Sequence, residues 1–279
     1  MTETPTRPRR RPKTTTVLET ERLSPHLIRV VVGGDDLDGF GAGEFTDHYV
    51  KLHIPPPGAE YRAPFDPDEV KERYPREQWP RVRTYTVRDW DADRGQLTLD
   101  FVVHGDEGVA GPWAATAQPG DILHLMGPGG GYAPDPEADW HLLVGDLAVI
   151  PAIAVSLERI PAGVPVHVLI EVPEPGDEVE LQTPGDLHLT WLHGDGTGDT
   201  LVPAVRDLEF PEGQVHAFVH GEAEVVRQIR RHLVLDRGIG KEALSASGYW
   251  KRNRDDEAWR AEKAEFNRQA DEELETATS

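Results

Sequence analysis

The chain has 279 residues, no cysteine and a formal net charge of −21 at pH 7. Its length predicts about two domains, and its negative charge argues against nucleic acid as a partner, because phosphodiester backbones are bound through basic surfaces. The lack of cysteine excludes disulfides, iron–sulfur clusters and a redox thiol pair, so any transferred electrons must be carried by a bound organic cofactor.

A basic, proline-rich tail opens the chain. Residues 1–13 combine arginine and lysine with proline, a composition that builds no core and predicts a disordered segment rather than an arm that contacts an anionic partner. No apolar run approaches the roughly 18 to 20 residues that cross a bilayer, and no apolar signal core follows the tail. The sequence therefore predicts a cytoplasmic protein without a membrane partner.

The next segment, residues 14–137, shows the period of two that is typical of strands. Its apolar alternations, separated by Gly and Pro, cover residues 14–20, 27–32, 49–54, 82–87, 97–103 and 122–126. Six such strands predict a small antiparallel barrel. An insertion at residues 55–81 is too long for a hairpin turn and predicts a short helix near residues 68–73. It is either a lid over a ligand or a solvent-facing segment without a role.

The fourth alternation carries the most informative side chains. Arg83 and Tyr85 point to one side of the predicted strand, and Thr86 and Arg88 point to the other. An aromatic ring can lie on an isoalloxazine face, and guanidinium groups bind phosphate oxygens with paired hydrogen bonds. The combination indicates a flavin nucleotide; the alternative is an edge strand with solvated arginines.

A Gly-rich turn follows the fifth alternation. The stretch from Val103 through His104 and Gly105 leads to a short helix that begins near Pro112, whose free backbone N–H groups would form a phosphate seat. The residues of this motif are Gly111, Pro112, Trp113 and Ala114. Taken alone, the Gly-Pro pair is equally consistent with an ordinary turn.

Residues 138–279 change to short strands that alternate with helices, which predicts a parallel sheet with crossover helices. The strands are predicted at 140–144, 164–171, 187–192, 215–220 and 244–247, and the helices at 147–159, 201–208 and 222–237. A final helix is predicted around 258–273. Residues 127–132, rich in glycine, are interpreted as a hinge between a six-stranded barrel and a nucleotide-binding-like domain.

Ligands of open α/β sheets bind at the carboxyl ends of the strands. Residues His220, Gly221 and Glu222 are predicted to open a helix whose backbone could hold a pyridine-nucleotide phosphate. No G-x-G-x-x-G motif supports this reading, so a plain strand-to-helix turn remains the alternative. The candidate residues for binding the nucleotide donor are Asp146, His220, Gly221, Glu222, Tyr249 and Trp250.

A local basic cluster stands out near the end of this acidic chain. Lys251, Arg252 and Arg254 would concentrate an anionic substrate against the overall charge, unless they pair with the acidic residues at 255–257. The twelve histidines show no H-x₃-H spacing, so no protein-held metal site is predicted.

Taken together, these motifs resemble the siderophore-interacting protein family, FAD-dependent ferric-siderophore reductases related to ferredoxin reductases. The resemblance covers roughly residues 15–255. The residues that carry it are Arg83, Tyr85, Thr86 and Arg88; Val103 to Gly105 with Gly111 to Ala114; Gly145 with Asp146; and Ser247 to Arg252. The chain departs from the family where Leu147 follows Asp146, because the family commonly has Glu and Thr there.

The resemblance implies that FAD is bound by the barrel motifs, with His104 beside the cofactor, and that a ferric siderophore is the substrate. Reduced pyridine nucleotide, NADH or NADPH, or reduced ferredoxin would supply the electrons, and no side chain is needed as a general acid or base. Two alternatives remain: a flavin or electron-transfer reductase with another acceptor, and a non-catalytic carrier of a chelate or flavin. The siderophore and the oligomeric state stay open.

Overall fold

Two β-sheets, one closed and one open, organise the chain. The computed structural model describes residues 11–41, 43–105 and 108–278. The first sheet is a closed antiparallel barrel with strand order β1-β2-β5-β4-β3-β6. Its strands are β1 (Lys13–Ser24), β2 (Leu27–Gly33), β3 (Tyr49–Ile54), β4 (Arg81–Asp91), β5 (Gln96–Val102) and β6 (Ile122–Gly129). The predicted six-stranded barrel is confirmed.

The barrel core follows from the alternation of each strand. Inward-facing residues of β2, β3 and β5, such as Val30, Leu52 and Leu99, have no exposed surface, and their outward neighbours are polar or half-buried. This pattern fills a small barrel with apolar side chains. A cofactor of the barrel is therefore expected on its outside.

The first strand begins within the predicted tail. Residues 1–10 of that tail lie outside the described residues. Lys13, which the composition assigns to the tail, is the first residue of β1 and pairs with Leu125 of β6. β1 also continues beyond the predicted end at residue 20, because its pairing with β2 extends to Ser24 opposite Leu27.

The insertion between β3 and β4 contains the predicted short helix, α1 (Pro67–Arg73). The carboxylate of Asp66 accepts hydrogen bonds from the N–H groups of Asp68 and Glu69, which caps the helix start. The N–H of Phe65 donates to Nε2 of His124 at 3.0 Å. The insertion is therefore anchored on β6.

A second short helix, α2 (Ala110–Thr116), lies between β5 and β6. It begins close to the predicted position, with Pro112 in its first turn. The glycine-rich stretch at residues 127–132, predicted as a hinge, overlaps β6, because residues 127–129 belong to this strand. Tyr132 at its end is 3% exposed and packs in the core of the second sheet's domain.

The second sheet has five parallel strands in the order β11-β10-β7-β8-β9. Its strands are β7 (Trp140–Asp146), β8 (Pro165–Val172), β9 (Asp186–His193), β10 (Val215–Glu222) and β11 (Leu244–Trp250), and its helices are α3 (Ile150–Leu157), α4 (Leu201–Asp207), α5 (Ala223–Leu235) and α6 (Asp256–Thr278). Buried residues of α3 pack on one face, and those of α4 and α5 on the other. The predicted parallel-sheet domain is confirmed.

Two helix starts differ from the prediction. The helix predicted at 147–159 opens with a 3-10 turn at Leu147–Val149, and α3 begins at Ile150. Residues 220–222 are the last three residues of β10 and lead directly into α5, which begins at Ala223 with Glu222 as its N-cap residue. The backbone of Glu222 is extended, and its carboxylate caps the first turn of α5.

Hydrogen bonds join the two sheets' domains at several points. Oγ1 of Thr46 lies 2.8 Å from Oγ of Ser156 in α3. At the far end of the barrel, the buried carboxylate of Asp177 accepts hydrogen bonds from Oγ of Ser24 and the backbone N–H of His26, at 2.7 and 3.0 Å. Among the described residues, none of the helices is both long and apolar enough to traverse a bilayer.

Candidate functional site

Strand β4 presents two different surfaces, as its alternation requires. Thr86 and Arg88 face the second domain: Arg88 donates to Glu158 at the end of α3 at 2.7 Å, and the side chain of Thr86, 8% exposed, shares a hydrogen bond with the hydroxyl of Tyr249 on β11. Burial raises the pKa of Tyr249, so the phenol stays protonated. The two domains therefore meet at the Thr86–Tyr249 pair.

On the other surface of β4, an aromatic row connects the strand to α2. The Tyr85 ring lies 4.3 Å from the Phe101 ring, and the Phe101 ring lies 5.5 Å from the Trp113 ring. The start of α2 has no side-chain cap, because Val109 is its N-cap residue. Flat rings thus lie next to a helix start whose amides receive no side-chain acceptor.

The remaining predicted flavin residues lie around this row. Gly111 and Pro112 are in the first turn of α2, and Ala114 is buried beneath it. His104 is exposed at the end of β5. The guanidinium of Arg83 lies 2.7 Å from Glu257 and 3.6 Å from Asp256 at the start of α6.

These residues fit an FAD molecule. Phe101 is fully buried in the barrel core, so the partly buried rings of Tyr85 and Trp113 are the ones that can stack on a flavin. The uncapped start of α2 and the guanidinium group of Arg83 supply anion partners. Arg83 is bound by carboxylates of α6, so its use by a phosphate requires that it exchange or share these partners. The role of each residue toward FAD stays a prediction.

The candidate donor residues come together at the carboxyl edge of the parallel sheet. The buried carboxylate of Asp146 accepts hydrogen bonds from Nε1 of Trp250 at 2.7 Å and from the backbone N–H groups of Ala148 and Glu222, both at 2.9 Å. Burial raises the pKa of Asp146 to about 6, although these three donors oppose the shift. Gly221 has φ 138°, and a Cβ there would lie 2.5 Å from Oδ2 of Asp146.

Two more buried carboxylates lie at this edge. Glu222 accepts from the N–H groups of Glu224 and Val225 in the first turn of α5, at 2.7 and 3.0 Å. Glu171 at the end of β8 accepts from the N–H of Gly196 at 2.6 Å and from the hydroxyl of Thr200. The contacts of Glu222 are a local cap of α5, whereas those of Glu171 join β8 to a separate loop and give no sign in the sequence.

The three basic residues predicted to bind substrate reach different neighbours. Nζ of Lys251 lies 4.6 Å from the centre of the Phe266 ring on α6. Arg252 donates from its backbone N–H to Glu222 and from its guanidinium to the carbonyl of Asp195. Arg254 pairs with Glu262 at 2.9 Å. They stay candidate substrate residues. Among the described residues, Arg254 forms no ion pair with the acidic residues at 255–257.

A second group of cations was missed in the sequence. His53 has its pKa lowered to about 4 by burial and by the positive charges of Lys71, His124, Arg260 and Lys51. The lowered pKa leaves His53 neutral near pH 7, and we call the three cations Lys51, Lys71 and Arg260 the basic rim. Lys71 pairs with Asp68 and Arg260 with Asp256. The members of the basic rim come from β3, α1 and α6, so their proximity depends on the fold. Within the described ranges, Lys51 forms no ion pair, and it is exposed.

One group of side chains in the described part of the chain has a spacing suited to a metal ion. Ligand atoms of His26, Glu174 and Asp177 lie within 4.8 Å of one another. Both oxygens of Asp177 already accept hydrogen bonds, including one of 2.8 Å with Nδ1 of His26. The group is accounted for as a contact between the domains, and the expectation of no protein-held metal stays a prediction.

Comparison with known proteins agrees with this geometry. A family model described as a siderophore-interacting FAD-binding domain matches residues 16–132, and one described as siderophore-interacting protein matches residues 138–253. The barrel with its FAD-binding match, joined to a parallel-sheet domain, defines a flavin-dependent oxidoreductase of the ferredoxin-reductase-like fold.

The chain belongs to the siderophore-interacting protein family. It is 36% identical over 248 residues to ferric vibriobactin reductase ViuB of Vibrio cholerae, covering 86% of this chain and 90% of that one. It is 32% identical over 241 residues to the NADPH-dependent ferric-chelate reductase of Escherichia coli, covering 84% and 91%. The structure of the siderophore-interacting protein SipS from Aeromonas hydrophila matches with a TM-score of 0.79 and 30% identity, covering 92% and 98%.

Proposed function

We propose that this protein reduces ferric siderophores with electrons that pass through bound FAD, so that iron leaves the chelate as ferrous iron. The observation that carries the proposal is the aromatic row beside the uncapped start of α2, within a segment that matches an FAD-binding model. The names of two relatives, ferric vibriobactin reductase and ferric-chelate reductase, support the reaction.

In this proposal the barrel domain, residues 14–137, holds FAD, and the second domain, residues 138–279, covers it. Tyr85 and Trp113 provide the aromatic surface, and Arg83 and the first turn of α2 bind phosphate oxygens. Thr86, held by Tyr249, orients the reactive edge of the flavin, while Arg88 and His104 lie alongside. Bound FAD supplies the chemistry that links a two-electron donor to a one-electron acceptor.

The substrate is bound by cations at an otherwise acidic surface. Ferric siderophores are often anionic, and a chain with a net charge of −21 repels them except where positive charge is concentrated. The basic rim provides such a place next to β4, and Lys251, Arg252 and Arg254 provide a second one next to β11. The chelator binds the iron, so the protein needs no iron ligand.

NADH, NADPH or ferredoxin is proposed as the source of electrons, and a cytoplasmic location stays a prediction. A relative of the chain is named as NADPH-dependent, which supports a pyridine nucleotide. No general acid or base is required, because the reaction moves electrons to a metal ion.

The test uses the purified holoprotein. We expect flavin absorption bands, bleaching when a reduced donor is added without oxygen, and recovery of the bands when a ferric tris-catecholate or trihydroxamate is added, with ferrous iron trapped by a chromogenic chelator. A colourless protein that refuses added FAD would refute the proposal. A flavin that no donor bleaches would favour a carrier.

The Lys251→Ala/Arg252→Ala variant tests the substrate site, with Lys241→Ala, an exposed lysine elsewhere, as the matched control. Loss of kcat/KM toward the ferric chelate, without change in flavin bleaching by the donor, supports the cationic pocket. Unchanged kinetics with both ferric chelates would remove these residues from it and favour a reductase with another acceptor.

A further inference from the structure

His53 lies on the outer face of β3, among the cations of the basic rim. Its neighbour Leu52 is buried in the barrel core, so the alternation of the strand turns the imidazole outward. On this face, His53 pairs in register with His124 of β6. Lys51 and the residue opposite it on β4, Thr84, are exposed. The face next to His53 is therefore open to a ligand.

Positive charge reaches His53 from three elements. Lys51 is on β3 itself, Lys71 is on α1 and Arg260 is on α6. The guanidinium of Arg260 donates to the carbonyl of Val82 at 2.9 Å, and Val82 is the residue of β4 that pairs with His53. The final helix thus holds a cation directly beside this histidine.

Carboxylates neutralise part of this charge. Asp68 pairs with Lys71 at 3.5 Å. The carboxylates at the start of α6 are shared between two guanidinium groups, and the residues of this network are Asp256, Glu257, Arg260 and Arg83. In the part of the chain that the structure describes, Lys51 has no carboxylate partner. The surface around His53 therefore keeps a positive charge that attracts an anion.

The imidazole of His53 has hydrogen-bonding capacity that the neighbouring histidine lacks. Nε2 of His124 accepts from the N–H of Phe65 at 3.0 Å, and its Nδ1 lies 3.4 Å from Oγ1 of Thr14. Over the described ranges, neither ring nitrogen of His53 has a hydrogen-bond partner, although the ring is half-buried. Of these two histidines, His53 is the one that can bind a ligand.

The charge of a ligand would change the protonation of His53. Burial and the surrounding positive charges lower its pKa to about 4, so the ring is neutral at pH 7 in the free protein. An anionic chelate would offset the cations and place negative oxygens beside the ring, and both effects favour the imidazolium form. Binding of an anion and uptake of a proton are therefore linked, and each strengthens the other.

We propose that His53 is the proton donor of the substrate site: it takes up a proton when an anionic ferric chelate binds at the basic rim and passes this proton to a chelator oxygen when the iron is reduced. In this step ferric iron gains one electron, the bond between iron and that oxygen breaks, an O–H bond forms, and His53 returns to the neutral imidazole. Solvent supplies the proton. Electron transfer itself needs no acid, because the proton serves the release of ferrous iron. The inference rests on the proposed function and extends it to product release.

The first test measures proton uptake without turnover, with a gallium(III) tris-catecholate as the probe because gallium is not reduced. The holoprotein is titrated calorimetrically at pH 6 in two buffers of different ionisation enthalpy. The native protein should take up at least about 0.3 proton per bound chelate more than His53→Gln does. His188→Gln, at an exposed position on β9, is the matched control and should match the native protein. Equal uptake by the native protein and His53→Gln, or a gallium chelate that does not bind, would overturn the inference.

The second test follows the iron. Chemically reduced holoprotein is mixed with a ferric tris-catecholate without oxygen, and flavin reoxidation and the trapping of ferrous iron by a chromogenic chelator are recorded separately. At pH 7.5, His53→Gln should keep flavin reoxidation within about threefold of the native rate but release ferrous iron at least about tenfold more slowly. At pH 5, where solvent supplies protons, the deficit in release should shrink to less than about threefold. His53→Asn serves if the glutamine variant does not fold.

Two results of this second test would refute the donor role. A deficit of the same size at pH 7.5 and pH 5 would show that His53 only shapes the site, and equal release rates at pH 7.5 would show that it has no part in release. In the second case the reductase stands and the inference is wrong. If the reduced native protein is not reoxidised by the ferric chelate at all, the proposed function itself fails, whatever the gallium titration shows.

Discussion

At the scale of single residues, charge pairing decides what each arginine of β4 can do. Arg83 and Arg88 differ in surroundings although they lie five residues apart on one strand: Arg83 is held by the start of α6 and Arg88 by the end of α3. Both guanidinium groups are therefore held in place before any ligand binds. A guanidinium group whose orientation is already fixed loses less entropy on binding, but a phosphate would have to share Arg83 with the carboxylates of α6.

The Arg83→Ala variant tests this role. We expect the binding free energy of FAD to weaken by an amount on the order of 1.5 to 3 kcal/mol, because a hydrogen bond to a charged group is lost. Fluorescence titration of the apoprotein measures it. Arg81→Ala, on the same strand and bound to the carbonyl of Glu77, is the control and should retain FAD normally. Purification of Arg83→Ala with a full complement of flavin would contradict the assignment.

At the scale of elements, β11 and α6 are joined by close packing. Gly248 lies against the start of α5 and the ring of Trp259, which is 2% exposed. A Cβ at position 248 would lie 2.9 Å from Cα of Ala223 and 3.1 Å from the Trp259 ring. The final helix is thus packed into the folded domain. Its charged sequence alone does not predict whether it packs there.

Gly248→Ala should therefore destabilise the protein. We expect a loss of about 1 to 3 kcal/mol in the free energy of unfolding, because the neighbouring backbone of Ala223 cannot move aside. Urea titration followed by circular dichroism measures the loss. Gly131→Ala, where nothing lies within 4 Å of a Cβ, should leave the midpoint unchanged. Equal urea midpoints for both variants would show that β11 accommodates the added methyl group without loss of stability.

At the scale of the whole molecule, the junction of the two domains depends on polar contacts distant from the site. The carboxylate of Asp177 has no exposed surface and accepts hydrogen bonds from Ser24 and His26 across the junction. Burial acts to raise the pKa of Asp177, but the hydrogen bonds from Ser24 and His26 outweigh it and lower the pKa overall. The ionised carboxylate is thus the form that joins the domains.

Asp177→Asn should weaken this junction. The amide would place an N–H group against the donor groups of Ser24 and His26, so that a hydrogen bond is lost. We expect a loss of about 1 to 3 kcal/mol in the free energy of unfolding. Differential scanning calorimetry measures it, with Asp186→Asn, at an exposed position, as the control. If the Asp177 variant unfolds at the temperature of the native protein, the contact contributes nothing to stability.

Buried histidines govern the response of the whole molecule to acid. Burial lowers the pKa of His141 to about 4 and that of His220 to about 3. Because these folded-state values lie below the unfolded value of about 6.5, the unfolded state binds more protons below that pH, and stability is lost as the pH falls. Asp146, whose pKa is raised to about 6, acts in the opposite sense: its contribution is lost as the pH rises through 6.

His53, whose pKa is also lowered to about 4, acts in the same sense as His141 and His220. Three histidines set against one aspartate predict a net loss of stability from about pH 6 to pH 4, with a slope of at most roughly 2.7 kcal/mol per pH unit. Urea midpoints at pH 7.5, 6 and 5 measure the slope. His141→Leu should flatten it and should stabilise the protein more at pH 5 than at pH 7.5. A His141→Leu variant with an unchanged slope would show that His141 is not buried in its neutral form.

The sequence by itself determined the type and order of the elements. Strand alternation located the barrel strands and the Arg83 to Arg88 surface, and the apolar strands after residue 138 predicted the parallel sheet. These features depend on periods of two and 3.6 residues within one segment. They can therefore be recognised in the sequence without knowing which segments pack together. The motifs that carry the family resemblance are of the same local kind.

Only the tertiary structure decided which of these residues meet. Thr86 and Tyr249 are 163 positions apart in the numbering, and Arg83 reaches the carboxylates of α6 across the molecule. The carboxylate of Glu222 caps α5, and it also accepts a hydrogen bond from the backbone N–H of Arg252, 30 positions further along the chain. Such contacts arise when separate segments pack together, and a local pattern contains no information on the distance between segments.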